Sequence, residues 1–464
     1  MTILRSLGTM AVGPVPESLR AEMPSRVLDI LGIAIRAGGL DTSRAVIEFA
    51  EAQGGSPQAS AIGGARRLPG PEAAFVNGVL AHSLDYDDTH LPSILHPSAS
   101  IVPAVLATAE SAAAPEADVL SAVAVGIEVC VRLGMGGFDP EGRRSLFFDR
   151  GQHATSICGA VGSAAASARI RGSDAATVTH AMAIACSMAS GILESNRVGG
   201  TVKRLHCGWA ARAGVTAADL AGRGLTGAPT AVEGRFGLFA ALLGDAARPG
   251  AVTEMIGDRW HAGDVAYKPY PANHFTHAGI DAALALRAGG LRPEDVGAAS
   301  LAVAPPTVRT IGEPIEAKRA PETGYAAQFS GPYAVAAALC GGGGLGVGLE
   351  DFSDASARDP KRRELMRRID VVGDSDLLEI YPYQLPAVLT VTTRDGARLV
   401  SERRINRGGP ELPLSAADLA AKFADNVDGL LEPARRDELV ERTDSLAAAR
   451  HVADLLAPTR GLQA

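Results

Sequence analysis

Residues 82–97, HSLDYDDTHLPSILHP, place three carboxylates (Asp85, Asp87, Asp88) and three histidines (His82, His90, His96) within one short stretch. An apolar run from Ala73 to Leu80 precedes them and reads as the inner face of a helix. Burying charge is costly unless it is paired. The stretch is therefore either a solvated helix end, with an aspartate capping the next element, or a set of groups that move protons. Thr89 can donate to a carboxylate, and His90 and His96 can donate or accept near neutral pH.

Three further segments concentrate cations. In DRGQHATS (149–156), His153 stands just before a helix of small residues, and Thr155 and Ser156 are placed to cap its start, where anions are favoured. In GGTVKRLHCGWAARAG (199–214), Lys203, Arg204 and His206 precede an amphipathic helix. In YKPYPANHFTHAGID (267–281), Lys268, His274 and His277 lie together. His274 and His277 are spaced to share a metal, but no HExxH and no carboxylate at ligand spacing accompanies them, so no metal is expected there. Each segment also has an ordinary reading as a capping segment or a basic helix end. Arg235, in VEGRFGLF (232–239), fits a structural salt bridge better than a carboxylate clamp. The run GGGGLGVG (341–348) lacks the Lys-Ser/Thr that a phosphate loop needs. Taken together, an acid-rich loop and three cationic segments point to an acid/base enzyme for a small polycarboxylate, working without a cofactor. Its chemistry would be proton abstraction beside a carboxylate, then elimination, decarboxylation or epimerisation.

Long helices must position these groups. Residues 17–260 read as helix after helix, and HATSICGAVGSAAASARI (153–170) is small or apolar on all sides, as a buried helix is. Near residue 265 the pattern changes. ASLAVAPP, RRIDVVG and AVLTVTTRDGARLVSERRI have strand character, with Asp395-Gly396 as a hairpin turn. The expected fold is mainly α: a large helical domain (1–267), an inserted smaller α+β lid domain (268–405) and a return to the helical domain (406–464). A cleft between domains is a common place for a ligand.

Composition narrows the partners. With 44 Lys and Arg against 52 Asp and Glu, the net charge is −8, which disfavours nonspecific nucleic-acid binding. A small anionic substrate remains compatible, because a local cationic cluster outweighs global charge. The 5 cysteines form no CxxC, so neither a zinc ribbon nor an iron–sulfur cluster is suggested. The odd cysteine count and the lack of a secretory pattern fit a cytoplasmic protein. No unbroken apolar stretch long enough to span a membrane is found, so no membrane partner is expected.

HSLDYDDTH with HPSASIVPAVLATAE, DRGQHATSICGAVGSAAA, VKRLHCGWAARAG, EGRFGLF, KPYPANHFTHAGIDAAL and ETGYAAQFSGPYAVAAAL resemble the MmgE/PrpD family, in order over about residues 20–340. That family includes 2-methylcitrate dehydratases, cis-aconitate decarboxylases and an iminodisuccinate epimerase. The resemblance implies a helical domain with a smaller α+β lid, a homodimer, and no iron–sulfur cluster. It also implies a pocket of Asp85, Thr89, His96, His153, Lys203 and His277. Lys203 and His153 would hold substrate carboxylates, His277 or His96 would carry the proton, and Asp85 would orient a neighbour. Lys268, His274 and Arg204 are further substrate-binding candidates. One position departs from the pattern. Many relatives carry Tyr five residues before the histidine of RGxH, where this chain has Phe148. In epimerase-like members that Tyr pairs with the lysine matching Lys268, so its absence weakens an epimerase reading unless Tyr86 or Tyr270 replaces it. Family frequency puts dehydration of a 2-methylcitrate-like hydroxy acid first and cis-aconitate decarboxylation second. Epimerisation of an aminodicarboxylate and non-catalytic carboxylate binding follow.

Overall fold

The computed structural model describes residues 1–112, 118–195, 200–447, 455–459 and 462. The chain divides into two compact units. The first comprises Met1–Ser83, Asp87–Val265 and Asn426–Ala464; the second comprises Leu84–Tyr86 and Ala266–Asp425.

The first unit is built of helices. Those that carry site residues or their support are Glu17–Ala37, Gly70–His82, Ser98–Ser111, Val119–Gly136, Ala154–Ile170 and Leu205–Gly222. Ala154–Ile170 is buried along almost its whole length, and its alanines, serines and glycines explain how. Small side chains let neighbouring backbones approach on every side. The closest approach bears on the site. A Cβ on Gly78 would lie 2.8 Å from Gly208 Cα, and one on Gly208 would lie 2.3 Å from the Phe75 carbonyl oxygen. Only a glycine pair allows this crossing of Gly70–His82 with Leu205–Gly222. It sets His82, at the end of one helix, near His206 and Cys207, at the start of the other.

Helix Val119–Gly136 is long and apolar enough to cross a membrane by length and composition, yet 94% of it is buried inside the protein. It is a core helix interrupted by a polar pair. The Glu128 carboxylate accepts from the Arg132 guanidinium at 2.6 Å and from the Ala262 amide at 2.8 Å. Arg132 also donates to the carbonyls of Val252, Glu254 and Arg259. A buried pair of this kind persists because its remaining polar atoms are satisfied.

The first unit has a two-stranded pair, β1 Phe138–Asp139 and β2 Arg144–Ser145. The second unit holds a four-stranded mixed sheet in the order β4-β3-β5-β6, formed by β3 Val296–Val303, β4 Ile369–Gly373, β5 Ala387–Thr393 and β6 Arg398–Arg403. β3 runs parallel to β4 and antiparallel to β5, and β5 pairs with β6 as a hairpin. Gly396, at φ 92°, supplies the left-handed turn residue between them. Helices His277–Ala288 and Gly331–Cys340 share one apolar core with the inner faces of the strands. The glycine run after Cys340 is not open to an anion. The Asp351 carboxylate accepts from the Gly348 and Gly343 amides and is itself held by Arg362. The helical pattern at the C-terminus appears as Pro433–Asp444, and its continuation past residue 447 lies outside the described residues.

Candidate active site

Four imidazoles form a contiguous cluster in the first unit. Ring centroids are 5.5 Å apart for His82 and His96, 5.4 Å for His82 and His153, and 4.9 Å for His153 and His206. His82 ends its helix, and its Nδ1 lies 2.7 Å from the Asp87 carboxylate, with both side chains fully buried. His82 Nε2 has no hydrogen-bond partner among the described residues.

His96 is positioned by a small loop. His90 and Leu95 exchange backbone hydrogen bonds of 2.8 and 3.3 Å, Ile94 turns at φ 55°, and Thr89 is thereby brought beside His96. His96 Nδ1 lies 2.7 Å from the Asp88 carbonyl, which can only accept. Nδ1 therefore carries the proton, and Nε2 is the basic nitrogen.

His153 is the N-cap residue of Ala154–Ile170, and its side chain makes no capping bond. Thr155 and Ser156 do not cap this helix as their spacing suggests. Thr155 Oγ1 accepts from the His96 amide, and Ser156 Oγ donates to the His206 carbonyl. Both hydroxyls instead tie together segments that bear histidines. His153 Nδ1 meets His206 Nδ1 at 2.9 Å. Burial, then electrostatic repulsion from His82 and Lys203, holds the His153 pKa well below the ordinary histidine value. Burial and the same two neighbours bring His206 down to about 4. Lys203 lies in the short turn Val202–Arg204 and is only 8% exposed. Arg204 points elsewhere, donating to Thr42 Oγ1 at 2.8 Å.

The three aspartates of the opening stretch have three different tasks. Asp87 holds His82. Asp88 is paired with Arg26 at 3.1 Å, both side chains being 2% exposed, and also accepts from the Ser98 amide and hydroxyl. Burial outweighs Arg26 and raises Asp88 to about 6. This carboxylate is structural. His90 is structural too: its ring meets Ser93 Oγ, and burial brings it down to about 3.

Asp85 belongs to the second unit, where a separate cluster forms. Lys268 Nζ donates to the Asp85 carbonyl at 2.7 Å and lies 3.2 Å from its carboxylate. The carbonyls on either side are also held: Gln328 donates to that of Leu84 at 2.9 Å, and Lys422 to that of Tyr86 at 3.1 Å. Three consecutive carbonyls are thus fixed by three side chains, and Asp85 sits at φ 52°, a conformation that non-glycine residues rarely adopt. His277 Nε2 lies 3.0 Å from the Ala272 carbonyl, so the proton is on Nε2. Its Nδ1 is a buried lone pair with no hydrogen-bond partner among the described residues. Burial, then Lys268, brings His277 down to about 3. His274 stacks on it at 4.4 Å between centroids.

Of the residues singled out by spacing, the structure groups Thr89, His96 and His153 in the first cluster, beside the turn that carries Lys203. It groups Asp85, Lys268, His274 and His277 in the second. The candidate replacements for the missing tyrosine are both occupied. Tyr270 donates to Asp281 at 2.6 Å, and burial and Asp281 push its pKa above the usual phenol range. Tyr86 donates to the Pro269 carbonyl. Arg235 is exposed and lies over the Phe236 ring. A cation has one candidate place among the described residues, where His82, Asp87 and Cys207 bring ligand atoms within 4.8 Å of one another. The donor set fits poorly. Asp87 already holds the His82 ring, and burial pushes the Cys207 thiol up, away from the thiolate a metal requires.

Two family models cover nearly the whole chain. The MmgE/PrpD N-terminal domain matches residues 6–249, and the MmgE/PrpD C-terminal domain matches residues 270–446. The chain belongs to the MmgE/PrpD family. It is a lyase-type enzyme of that family. The cis-aconitate decarboxylase of Homo sapiens is 31% identical to this MmgE/PrpD chain, over 91% of the chain and 86% of that protein. That of Mus musculus is 30% identical over 87% and 82%. The cis-aconitate decarboxylase of Aspergillus terreus is 28% identical over 48% and 46%.

Spacing placed His82 and Asp87 in the acid-rich stretch without giving either a site role, did not single out Gln328 or Lys422, and treated His206 only as one cation at a helix start. A signal existed for the first pair, because His82 and Asp87 stand in the same acid-rich stretch. None existed for Lys422, whose partner Tyr86 is 336 residues away.

Proposed function

We propose that this chain is a carboxy-lyase acting on cis-aconitate or a close unsaturated tricarboxylate. The reading rests on its likeness to cis-aconitate decarboxylases along nearly its full length, and we take decarboxylation ahead of the dehydration that family frequency favours on that ground. The buried histidine cluster supports it, with His153 and His206 held below the ordinary histidine pKa by burial. Decarboxylation needs carboxylate anchors, a water-poor setting and one proton delivered to carbon.

The bond from the CH₂ carbon to its carboxylate breaks and CO₂ leaves. The electron pair forms a new double bond to the central carbon, and the former alkene CH takes one proton to become CH₂, giving itaconate. In this reading Lys203 and His153 hold carboxylates. His96, with its basic Nε2 and its Nδ1 fixed by Asp88, handles the proton. His277 is the second candidate for that task, and Asp85 and Lys268 hold each other in place. Purified protein incubated separately with cis-aconitate, citrate and 2-methylcitrate, followed by proton NMR, tests this. Itaconate from cis-aconitate alone is the expected result. Olefinic products from the hydroxy acids, with cis-aconitate unchanged, would replace decarboxylation by dehydration.

A further inference from the structure

The contact between His153 and His206 carries a constraint that neither residue has alone. Two Nδ1 atoms 2.9 Å apart cannot both carry a proton, and they bond only if one does. With both rings neutral, they must be opposite tautomers. One ring is protonated on Nδ1 and offers a lone pair at Nε2; the other accepts at Nδ1 and offers an N–H at Nε2. The arrangement in which His153 accepts at Nδ1 suits an anionic ligand, because a lone pair turned toward a carboxylate repels it and an N–H binds it.

We infer that His206 is a positioning residue that sets the tautomer of His153: its Nδ1–H donates to His153 Nδ1, and His153 thereby presents a neutral Nε2–H to a substrate carboxylate. The inference rests on the carboxylate-binding role read for His153 above. His206 is itself held for this task. Its carbonyl accepts from Ser156 Oγ at 3.0 Å, and the glycine crossing at Gly208 fixes the first turn of its helix. Burial, reinforced by electrostatic repulsion from His82 and Lys203, keeps both rings from protonating, so the single shared proton is retained.

Long-range ¹H–¹⁵N correlation of the ¹⁵N-histidine-labelled, substrate-free protein at pH 7 reads the tautomers directly. It does so whether or not cis-aconitate is the substrate. The expected spectrum shows His153 as the Nε2–H form and His206 as the Nδ1–H form, assigned by loss of each signal in single variants. The reverse assignment, or both rings in the same form, would overturn the inference. Kinetics supply a second reading. His206→Asn keeps a donor near the Nδ1 position, whereas His206→Asp offers only acceptors and forces His153 to protonate on Nδ1. With cis-aconitate, His206→Asp is expected to raise KM roughly ten- to a hundredfold, with a smaller change in kcat. His206→Asn should recover most of that loss. Equal effects of the two variants would show that His206 only fills space. A wild-type protein that shows the expected tautomers but does not turn over cis-aconitate would refute the substrate, not the pairing.

Discussion

Lys203 and His96 illustrate what a single side chain contributes here. Lys203 is a nearly buried side chain beside His153 and His206, and in the proposed reading it holds a substrate carboxylate. Lys203→Ala is expected to raise KM about ten- to a hundredfold, the range of a lost hydrogen bond between charged groups, as checked by steady-state kinetics with itaconate as the readout. His96 has its proton fixed on Nδ1 by the Asp88 carbonyl, which leaves Nε2 to act. His96→Gln should lower kcat by roughly 10²–10⁴, the usual range for a positioned acid or base, while the protein stays folded by circular dichroism. An unchanged kcat would move the proton-transfer role to His277. At this scale the sequence was legible where a residue sits in a local motif. His96, His153 and Lys203 stand out because each is polar at the edge of an apolar helix. His82 and Asp87 were present in the same stretch, but their bond depends on the fold of the turn between them.

Elements bring these side chains together through two devices. One is the glycine crossing, where Gly78 and Gly208 let two helices touch backbone to backbone. Gly208→Ala places a methyl group against the Phe75 carbonyl and is expected to destabilise the protein by about 1–3 kcal/mol, measured by urea unfolding. It should also reduce activity, because His206 and His82 hang on that crossing. The other device is the fixing of three consecutive carbonyls by Gln328, Lys268 and Lys422. Lys422→Met keeps the aliphatic stem against Tyr86 and leaves the Tyr86 carbonyl without this donor. It should cost about 1–3 kcal/mol in the same assay. The helices and the β5–β6 hairpin were readable because periodicity and the Asp-Gly turn are local signals. The crossing was not, since a glycine within a helical pattern does not say which neighbour it meets. Thr155 and Ser156 were misread for a related reason: their hydroxyls bond across to other segments instead of to their own helix start.

Across the whole molecule, burial of neutral histidines links stability to pH. An unfolded histidine protonates near 6.5, whereas His90, His206 and His277 do so only near 3, 4 and 3 in the folded protein. Between those values the native state binds fewer protons than the unfolded chain, so stability is lost as pH falls from about 6.5 toward 4. Asp88 acts in the opposite direction. Its pKa is raised from 3.8 to about 6, so it favours the fold in acid, and that contribution disappears as pH rises through 6. Burial raises Glu128 and Asp281 in the same sense as Asp88 and lowers His153 with the other three histidines. The histidines, shifted furthest, dominate, and the urea midpoint should drop between pH 6.5 and 4.5. A midpoint that holds or rises over that interval would show that the histidines are charged in the folded state. The broad architecture, helical with a smaller α+β part, was readable because composition and periodicity persist over long segments. The choice of reaction was not, since dehydration and decarboxylation require the same kinds of residue. In the proposed reaction this protein removes CO₂ from cis-aconitate and returns one proton to carbon. The most direct measurement is to incubate it with cis-aconitate in D₂O and observe the product by proton NMR. Itaconate with one deuterium at the CH₂ that was the alkene carbon is the expected result. Unchanged cis-aconitate, or a hydrated product with all six carbons, would contradict it.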